Sequence, residues 1–251
     1  MHAILLAAGR GKRLSSANER HVPKSLLSFG GHSLLERHLR LLRAAGVDGL
    51  TIVTGYASEQ IRAAVAELAL PLVTDFVDNA RYTLGSVLSV HCAREGLVRA
   101  PDDVLVMDAD VLYDQRILLP LCAGPSVDRV PFDTGFTPGD EPVKLCLEHG
   151  RIVEFRKRLA AELHYDRIGE TIGFFRLTPA TARRFAELVA GYVAAGRTDQ
   201  PHEEALRDLF LEQPERFEEQ DTAPAPWLEI DFPEDLVRAR DEVLPKLERL
   251  P

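Results

Sequence analysis

The chain has 251 residues, of which 45% are hydrophobic and 27% are charged, and its formal net charge at pH 7 is −9. This length suffices for one large α/β domain or two small ones with a sizeable core. The acidic balance argues against general binding to nucleic acid or to anionic membranes, so an anionic ligand would need a local cationic site or a metal ion.

The first apolar segment, MHAILLAA, lacks a basic region, is short for a signal sequence and leads into a glycine-rich loop. No apolar stretch reaches the roughly 18 residues of a transmembrane helix. The cysteines Cys92, Cys122 and Cys146 lie far apart without metal-binding spacing, which favours free thiols in a reducing compartment. We therefore expect a cytoplasmic protein that binds neither nucleic acid nor membranes, with a homodimer as a possible assembly.

Strands and helices alternate over the first 125 residues. Residues 3–8 predict a short buried strand, and HSLLERHLRLLRAAG predicts a helix that ends at Gly46. Further strands are predicted in GLTIVTG, LPLVTDF and DDVLVMDAD, and further helices in SEQIRAAVAELA and SVLSVHCAREGL. Asp102 and Asp103, at the start of the last strand, are expected on the surface. The alternation predicts an α/β fold with a doubly wound, mostly parallel sheet.

After residue 125, several strands follow one another directly. VPFDTGF, EPVKLCLEHG, RIVEFRKRL, ETIGFFRLT and WLEID predict strands, with EHGR as a hairpin turn. Helices are predicted in PATARRFAELVAGYVAAG, HEEALRDLFLEQ and PEDLVRARDEVLPKLERL. We expect a single domain over residues 1–251, with a β-rich, lid-like second half from residue 126.

The loop after the first strand, AAGRGKRL, fails two familiar motifs. An ATP-binding P-loop needs Ser or Thr after its Gly-Lys pair, and Arg13 stands there. A dinucleotide fingerprint needs a third glycine where Leu14 stands, and an acidic residue at the end of the second strand, which instead ends in Thr54-Gly55.

The loop is nevertheless well suited to phosphate. Gly9 and Gly11 leave backbone amides free to face anionic oxygens. Between residues 10 and 24, Glu19 is opposed by five basic residues, which give a local charge of +4 and are Arg10, Lys12, Arg13, Arg20 and Lys24. The loop therefore predicts a phosphate-binding site in an otherwise acidic chain.

The pair of segments LLAAGRGKRL and PKSL (Leu5–Leu14 and Pro23–Leu26) resembles the signature of nucleotidyltransferases of the sugar-1-phosphate and CTP:phosphocholine type. The resemblance implies a Rossmann-like nucleotidyltransferase fold, with a nucleotide-binding half over residues 1–125 and an acceptor-binding half over residues 126–251. It implies that Arg13 and Lys24 are catalytic and bind the triphosphate. The nucleotide-binding residues that it implies are Leu6, Ala7, Ala8, Gly9, Gly11, Arg13, Lys24, Gly55, Ser86 and Asp108.

Two pairs of carboxylates alternate at the ends of predicted strands, Asp108 with Asp110 and Glu229 with Asp231. Alternate residues of a strand share one face, and open α/β sheets bind ligands at the carboxyl ends of their strands. The resemblance implies that Asp110 and Asp231 hold a metal ion. Hard carboxylate oxygens together with phosphate oxygens suit Mg²⁺.

The acceptor side is less sharply defined. By resemblance, Lys144 is a catalytic residue that contacts the acceptor or the α-phosphate, and the alternative is an edge-strand lysine without such a contact. Glu170 is expected to face the acceptor or to hold the lid. Glu203 begins a helix near the acceptor pocket of relatives, where an acidic residue is also favoured by the helix dipole. The segment TDQPHEEAL lacks the Tyr or Trp of phosphocholine sites, which favours a primary amine, a polyol phosphate or a phosphonate.

The resemblance therefore implies Mg²⁺-dependent transfer of CMP from CTP, or of a nucleotide from another NTP, to a small phosphorylated or phosphonate acceptor. Examples are 2-aminoethylphosphonate, phosphocholine and inositol phosphate, and pyrophosphate would be released. Two alternatives stay open. A sugar-1-phosphate nucleotidyltransferase usually carries LGT(A/G) where this chain has LGS. A catalytically inactive regulatory module would not need a pair of metal-binding carboxylates.

Overall fold

The computed structural model of the protein describes residues 1–14 and 22–251. Two charges of the predicted phosphate loop, Glu19 and Arg20, lie outside the described residues. In the described part, the strands are β1 (His2–Leu6), β2 (Ser28–Phe29), β3 (His32–Ser33), β4 (Gly49–Thr54), β5 (Val73–Asp78), β6 (Val104–Asp108), β7 (Val111–Tyr113), β8 (Asp128–Asp133), β9 (Lys144–Glu148), β10 (Arg151–Arg156), β11 (Arg167–Thr171), β12 (Phe174–Leu177), β13 (Phe217–Asp221) and β14 (Trp227–Glu229).

The α-helices lie between these strands and after them. They are α1 (Leu34–Ala44), α2 (Ser58–Leu68), α3 (Val87–Cys92), α4 (Arg94–Arg99), α5 (Gln115–Cys122), α6 (Pro179–Ala194), α7 (His202–Glu212) and α8 (Pro233–Arg238). Short 3₁₀ turns at Lys12–Leu14 and Lys24–Leu26 flank the undescribed part of the first loop. Within the described ranges, no helix has both the length and the apolar composition that crossing a bilayer requires.

One ten-stranded sheet contains strands from both halves of the chain. In the first half, β5, β4, β1 and β6 lie side by side and pair in parallel. β12 then pairs antiparallel with β6, and the sheet continues through β8, β11, β9 and β10. β13 joins β8 in parallel. The predicted α/β class, with a doubly wound parallel region and a β-rich second half, is confirmed.

The helices cover both faces of this sheet because successive apolar residues of its central strands point to opposite sides. On one face, Ile4 and Phe175 pack in a core with residues of α3, α4, α6 and α7. On the other face, Leu5 and Phe174 pack in a core with residues of α1, α2 and α5. A third, smaller core lies beneath the first loop and includes Leu14.

Local sequence signals explain several boundaries. Ser33 caps α1 by accepting a hydrogen bond from the Glu36 amide at 3.0 Å. Pro179 occupies the first turn of α6, where its missing N–H costs nothing. The predicted EHGR hairpin turn joins β9 to β10, and His149 and Gly150 both have positive φ, 52° and 76°, as a type I′ turn requires.

Other boundaries differ from the prediction. The helix predicted over SVLSVHCAREGL is divided into α3 and α4 at Ala93, where φ is −87° and ψ is 6°. The strand predicted over ETIGFFRLT is divided at Gly173, whose φ of +79° interrupts the extended backbone. A side chain at Gly173 would overlap the Asp108 carboxylate. The last predicted helix is a regular α-helix only as far as Arg238. Pro245 follows within a 3₁₀ turn, and it has no N–H to donate to a continued α-helix.

The expectation that Asp103 lies on the surface is wrong. Asp103 is only 4% exposed, and its Oδ2 accepts a hydrogen bond from Arg176 Nε at 2.7 Å. Arg176 also donates to the backbone carbonyls of Leu121, Ala123 and Pro125. The neighbouring Asp102 is exposed, as expected. A strand from the second half of the chain therefore buries Asp103 by supplying its counter-charge.

Candidate active site

A short two-stranded sheet brings the distant carboxylates together. β14 pairs antiparallel with β7, so that Glu229 lies opposite Val111, and the Ile230 amide donates to the Asp110 carbonyl at 2.9 Å. As a result, carboxylate oxygens of Asp110, Glu229 and Asp231 all lie within 4.8 Å of one another. Asp110 follows β6 in a turn, so it is not part of that strand as predicted, but it does lie at the expected edge.

The ammonium of Lys24 bridges two of these carboxylates. Its Nζ lies 2.8 Å from Asp110 Oδ2 and 2.5 Å from Asp231 Oδ1. Burial alone would lower the pKa of Lys24, but the two carboxylates raise it above its usual value, so the side chain stays charged. The methylenes of Lys24 lie where a Cβ on Gly11 would stand, which explains why the PKSL segment packs against the glycine loop.

Arg13 joins the same cluster from the first loop. One guanidinium nitrogen lies 2.7 Å from Asp231 Oδ2 and another lies 3.2 Å from Glu141 Oε2. Lys157 Nζ also lies 3.2 Å from Glu141 Oε2. Glu141, which the sequence did not single out, thus connects the first loop to the second half of the chain.

The predicted nucleotide-binding residues divide into three groups in the structure. The largest group lines a small cavity of about 70 Å³ at the first loop and consists of Leu6, Ala7, Gly9, Gly11 and Lys24. Ser25, Ala109 and the predicted metal ligand Asp110 complete the lining of this cavity. Ala8 and Gly55 lie against each other, since a Cβ on Gly55 would stand 2.9 Å from the Ala8 carbonyl oxygen. Gly55 therefore allows the second strand end to approach the loop, and direct contact of either residue with a nucleotide stays a prediction.

The third group, Ser86 and Asp108, lies beside a buried histidine. His202 is only 2% exposed, and its Nδ1 lies 3.0 Å from Ser86 Oγ and 3.1 Å from Glu203 Oε2. Ser86 Oγ also accepts the His202 amide at 2.8 Å and so satisfies the first turn of α7. The sequence did not indicate this role for His202.

Two nearby carboxylates, Glu203 and Asp108, keep His202 protonated. Burial would lower the pKa of His202, but Glu203 and Asp108 outweigh it and raise the pKa to about 9. Burial likewise opposes ionisation of Glu203, yet the imidazolium holds its pKa at about 2. For Asp108, burial dominates, and repulsion from Glu203 and Asp110 adds to it, so the pKa rises to about 7.

Of the three predicted acceptor residues, Glu170 lies opposite Lys144 in the pairing of β11 with β9, whereas Glu203 lies on α7. Glu203 lines a cavity of about 510 Å³, which also contains the cationic side chains of Arg156, Lys157 and Arg158. Glu170 lines a second cavity of about 400 Å³, which shares Glu141 with the first and reaches Glu229 and Asp231. Burial and the nearby Asp133 carboxylate raise the pKa of Glu170 to about 7.

Lys144 lines neither of these cavities. It is 8% exposed, and its Nζ donates to three backbone carbonyls, those of Gly139 at 2.7 Å, Pro142 at 3.2 Å and Lys157 at 2.5 Å. These bonds hold the segment that carries Glu141 close to β10. In this arrangement the ammonium supports a wall of the cleft, by which we mean the space formed by the loop cavity and the cavities lined by Glu170 and Glu203. Its contact with an acceptor or a phosphate stays a prediction.

The carboxylate cluster fits a hard divalent cation. Glu229 opens onto the cleft, but the surrounding walls reduce its hydration, and this burial, together with repulsion from Asp110 and Asp231, raises its pKa well above the usual value. Three mutually repelling carboxylates with oxygen donors only are the ligand type that Mg²⁺ prefers. From the sequence we assigned no role to Glu229, although its alternation with Asp231 indicated that the two side chains share one face of a strand.

The fold and this site together define an α/β protein with a glycine loop and two basic side chains, Lys24 and Arg13, beside a carboxylate cluster. The family model of the MobA-like NTP transferase domain matches residues 3–134, more than half of the chain. The chain therefore belongs to this family, and the resemblance to nucleotidyltransferases is confirmed.

Two curated proteins are similar to this chain in sequence. The chain is 30% identical over 245 residues to the bifunctional IPC transferase and DIPP synthase of Rubrobacter xylanophilus, covering 96% of this chain and 52% of that protein. It is 36% identical over 120 residues to the choline-phosphate cytidylyltransferase of Haemophilus influenzae, covering 47% and 48%. The chain thus spans about half the length of these two curated relatives.

A solved structure supports the fold over nearly the whole chain. The inositol-1-phosphate CTP transferase from T. maritima superimposes with a TM-score of 0.75 at 22% identity, over 97% of this chain and 93% of that one.

Proposed function

We propose that this protein is a Mg²⁺-dependent cytidylyltransferase that transfers CMP from CTP to a small phospho-alcohol or alkylphosphonate and releases pyrophosphate. One observation carries the proposal: Asp110, Glu229 and Asp231 converge beside the glycine loop, where Lys24 binds Asp110 and Asp231 and Arg13 binds Asp231. Paired hard carboxylates and phosphate-binding cations in one cleft are what nucleotidyl transfer requires. The relatives named for choline phosphate and inositol phosphate support this class of acceptor.

On the nucleotide side, the first loop would hold the triphosphate. Gly9 has open space where a side chain would stand, so phosphate oxygens can approach the backbone there. Lys24 and Arg13 would bind phosphate oxygens, and Asp110, Glu229 and Asp231 would hold the metal. A bound Mg²⁺ supplies neutralisation of the triphosphate charge and polarisation of the α-phosphate.

Charge repulsion is the main obstacle to the reaction. Two unit charges 4 Å apart interact by roughly 4 kcal/mol at an effective dielectric constant of 20, and both the acceptor and the triphosphate carry more than one negative charge. Lys24 and Arg13 would oppose this repulsion by exchanging their present partners, Asp110 and Asp231, for phosphate oxygens when the metal and the nucleotide bind.

On the acceptor side, the cavity of about 510 Å³ presents both signs of charge. Arg156, Lys157 and Arg158 suit a phosphate or phosphonate group, whereas Glu203, kept ionised by His202, suits an amine. A phosphate monoester has a second pKa of about 6 and is ionised near neutral pH, so no general base is needed. An acceptor oxygen forms the new bond to the α-phosphorus, the bond from that phosphorus to the β-phosphate oxygen breaks, and pyrophosphate leaves.

The test is pyrophosphate release from each of the four NTPs with a panel of acceptors. The panel contains phosphocholine, phosphoethanolamine, 2-aminoethylphosphonate, inositol 1-phosphate and glucose 1-phosphate. We expect turnover with CTP and at least one of the first four acceptors, and its loss in Asp110→Asn and in Asp231→Asn. Asp102→Asn, at an exposed position, is the matched control and should retain full activity.

Other outcomes identify the alternatives. Turnover with glucose 1-phosphate and a donor other than CTP would identify a sugar-1-phosphate nucleotidyltransferase. Tight binding of Mg–NTP without turnover of any acceptor would identify a regulatory module. Full activity of Asp231→Asn would contradict the metal assignment.

A further inference from the structure

A cationic cavity lies outside the cleft, between α1 and the segment that follows α8. Its volume is about 370 Å³. Its wall carries four basic side chains, His32, Arg37, Arg40 and Arg249, and an apolar part formed by Leu244 and Leu247. It shares no lining residue with the loop cavity or with the two cavities of the second half.

Arg37 is the feature that points to a ligand. It is only 7% exposed, and its Nη2 donates to the Phe29 carbonyl at 2.7 Å, while Nε is buried without a hydrogen-bond partner. Among residues 1–14 and 22–251, no carboxylate lies within ion-pair distance of this guanidinium. Burying a charge without a counter-charge is costly, and burial lowers the pKa of Arg37 accordingly.

The other charges around the cavity do not neutralise it. Arg40 Nε and His32 Nδ1 share one carboxylate, that of Glu36, at 2.9 and 3.0 Å. Arg249 is exposed and has no ion pair within the described ranges. Glu248, also on the wall, is engaged by Gln115 and lies 3.5 Å from Arg116. Within the described ranges, Arg37 and Arg249 therefore remain without an ion pair on a wall that also holds Glu248 and Pro251, in a chain whose net charge is −9.

We propose that this cavity is a second anion site, which binds a small phosphate-bearing ligand with Arg37 as its anchor. A guanidinium forms two parallel hydrogen bonds to phosphate, and Arg40 and Arg249 at the rim add charge and further donors. Leu244 and Leu247 provide an apolar surface for the remainder of the ligand. Ligand binding at this site does not require the proposed catalytic function, because none of its lining residues lines the loop cavity or the two cavities of the second half.

A ligand bound at this site would affect the residues of the cleft. Leu244 and Leu247 pack against the small third core, which contains Leu14 and Ile230. Leu14 follows Arg13 directly, and Ile230 lies between Glu229 and Asp231. A ligand that ties α1 to the segment after α8 therefore stiffens the base on which these catalytic side chains stand.

The test is a titration of the ¹⁵N-labelled full chain with inorganic phosphate, at an ionic strength held constant with chloride. Amide signals of Gly30 and Gly31 report the proposed site, because Arg37 Nη2 lies 3.4 Å from the Cβ position of Gly30. Signals of Gly9 and Gly11 report the catalytic loop in the same spectra. We expect a saturable shift at Gly30 and Gly31 that is described by its own dissociation constant.

The variants decide the assignment. Arg37→Gln should weaken the phosphate affinity reported by Gly30 and Gly31 by about tenfold or more. The double variant of the rim, Arg40→Gln with Arg249→Gln, should weaken it to a similar extent. This second variant keeps the proposal testable if Arg37→Gln fails to fold. Arg43→Gln, an exposed arginine on the same helix that does not line the cavity, is the matched control and should bind normally. An absent or non-saturable shift, or an unchanged affinity in the rim variant, would overturn the proposal.

Discussion

Replacing Lys144 by methionine tests whether this buried ammonium supports the cleft wall or touches the substrate. Lys144→Met keeps the apolar stem and removes three hydrogen bonds to the carbonyls of Gly139, Pro142 and Lys157. A hydrogen bond that involves a charged group contributes roughly 1.5–3 kcal/mol net. Gly139 and Lys157 lie in exposed segments, so their carbonyls regain water in the variant. We therefore expect a total loss of about 2–4 kcal/mol in the free energy of unfolding.

The same variant should alter acceptor binding more than chemistry. Without Lys144, the segment that carries Glu141 is released from β10, and the Glu141 contacts to Arg13 and Lys157 loosen. Urea unfolding gives the stability change, and steady-state kinetics should show a raised acceptor KM with a smaller change in kcat. Lys144→Arg, which keeps the charge, should recover part of the lost stability. An unchanged unfolding free energy with a fall in kcat of about 100-fold would refute this reasoning and place Lys144 on the reacting phosphates.

Three further predictions concern stability. Asp103→Ala leaves Arg176 buried without its counter-charge and should cost about 3–5 kcal/mol in urea unfolding, whereas the exposed neighbour in Asp102→Ala should change it by no more than about 0.5 kcal/mol; an equal effect of both would contradict the buried pair. Gly85→Ala would overlap the Gln200 carbonyl and should lower the melting temperature, while Gly191→Ala, inside α6 with open space around it, should stabilise by about 0.5–1 kcal/mol. Glu170 has a folded pKa near 7 against an ordinary value near 4.5, so its ionisation disfavours folding as the pH rises through this window. The melting temperature of Glu170→Gln should therefore exceed that of the wild type by an amount that grows from pH 4.5 to 7. A constant difference in melting temperature across that range would show that the pKa of this carboxyl is not raised.

The sequence predicted those helices and turns whose formation is determined by residues close to one another in the chain. Ser33 and the spacing of leucines define α1, and the EHGR turn defines the β9–β10 hairpin. Several other elements carry no such signal. β13 reads FEEQD, a polar run that is a strand only because it pairs with β8. α5 contains Pro120, which argues against a helix, yet the helix packs against α1 and β8.

The site shows the same division between local and distant information. The loop signature indicated Arg13 and Lys24, and strand alternation indicated the two carboxylate pairs. Their convergence depends on three-residue strands, β7 and β14, whose pairing is not visible in either segment alone. The role of Glu141 depends on a contact between side chains from the two halves of the chain, Arg13 and Glu141. The charge of His202 depends on its sequence neighbour Glu203 and on Asp108, which only the fold brings near it.

The central claim is that an acceptor oxygen attacks the α-phosphorus of the nucleotide. The most direct measurement uses an acceptor from the panel whose phosphate or phosphonate oxygens are labelled with ¹⁸O, followed by mass spectrometry of both products. We predict that the CMP-linked product retains all the acceptor label and that pyrophosphate contains none. Loss of one labelled oxygen from the acceptor, label in pyrophosphate, or release of free CMP in place of the linked product would contradict the account.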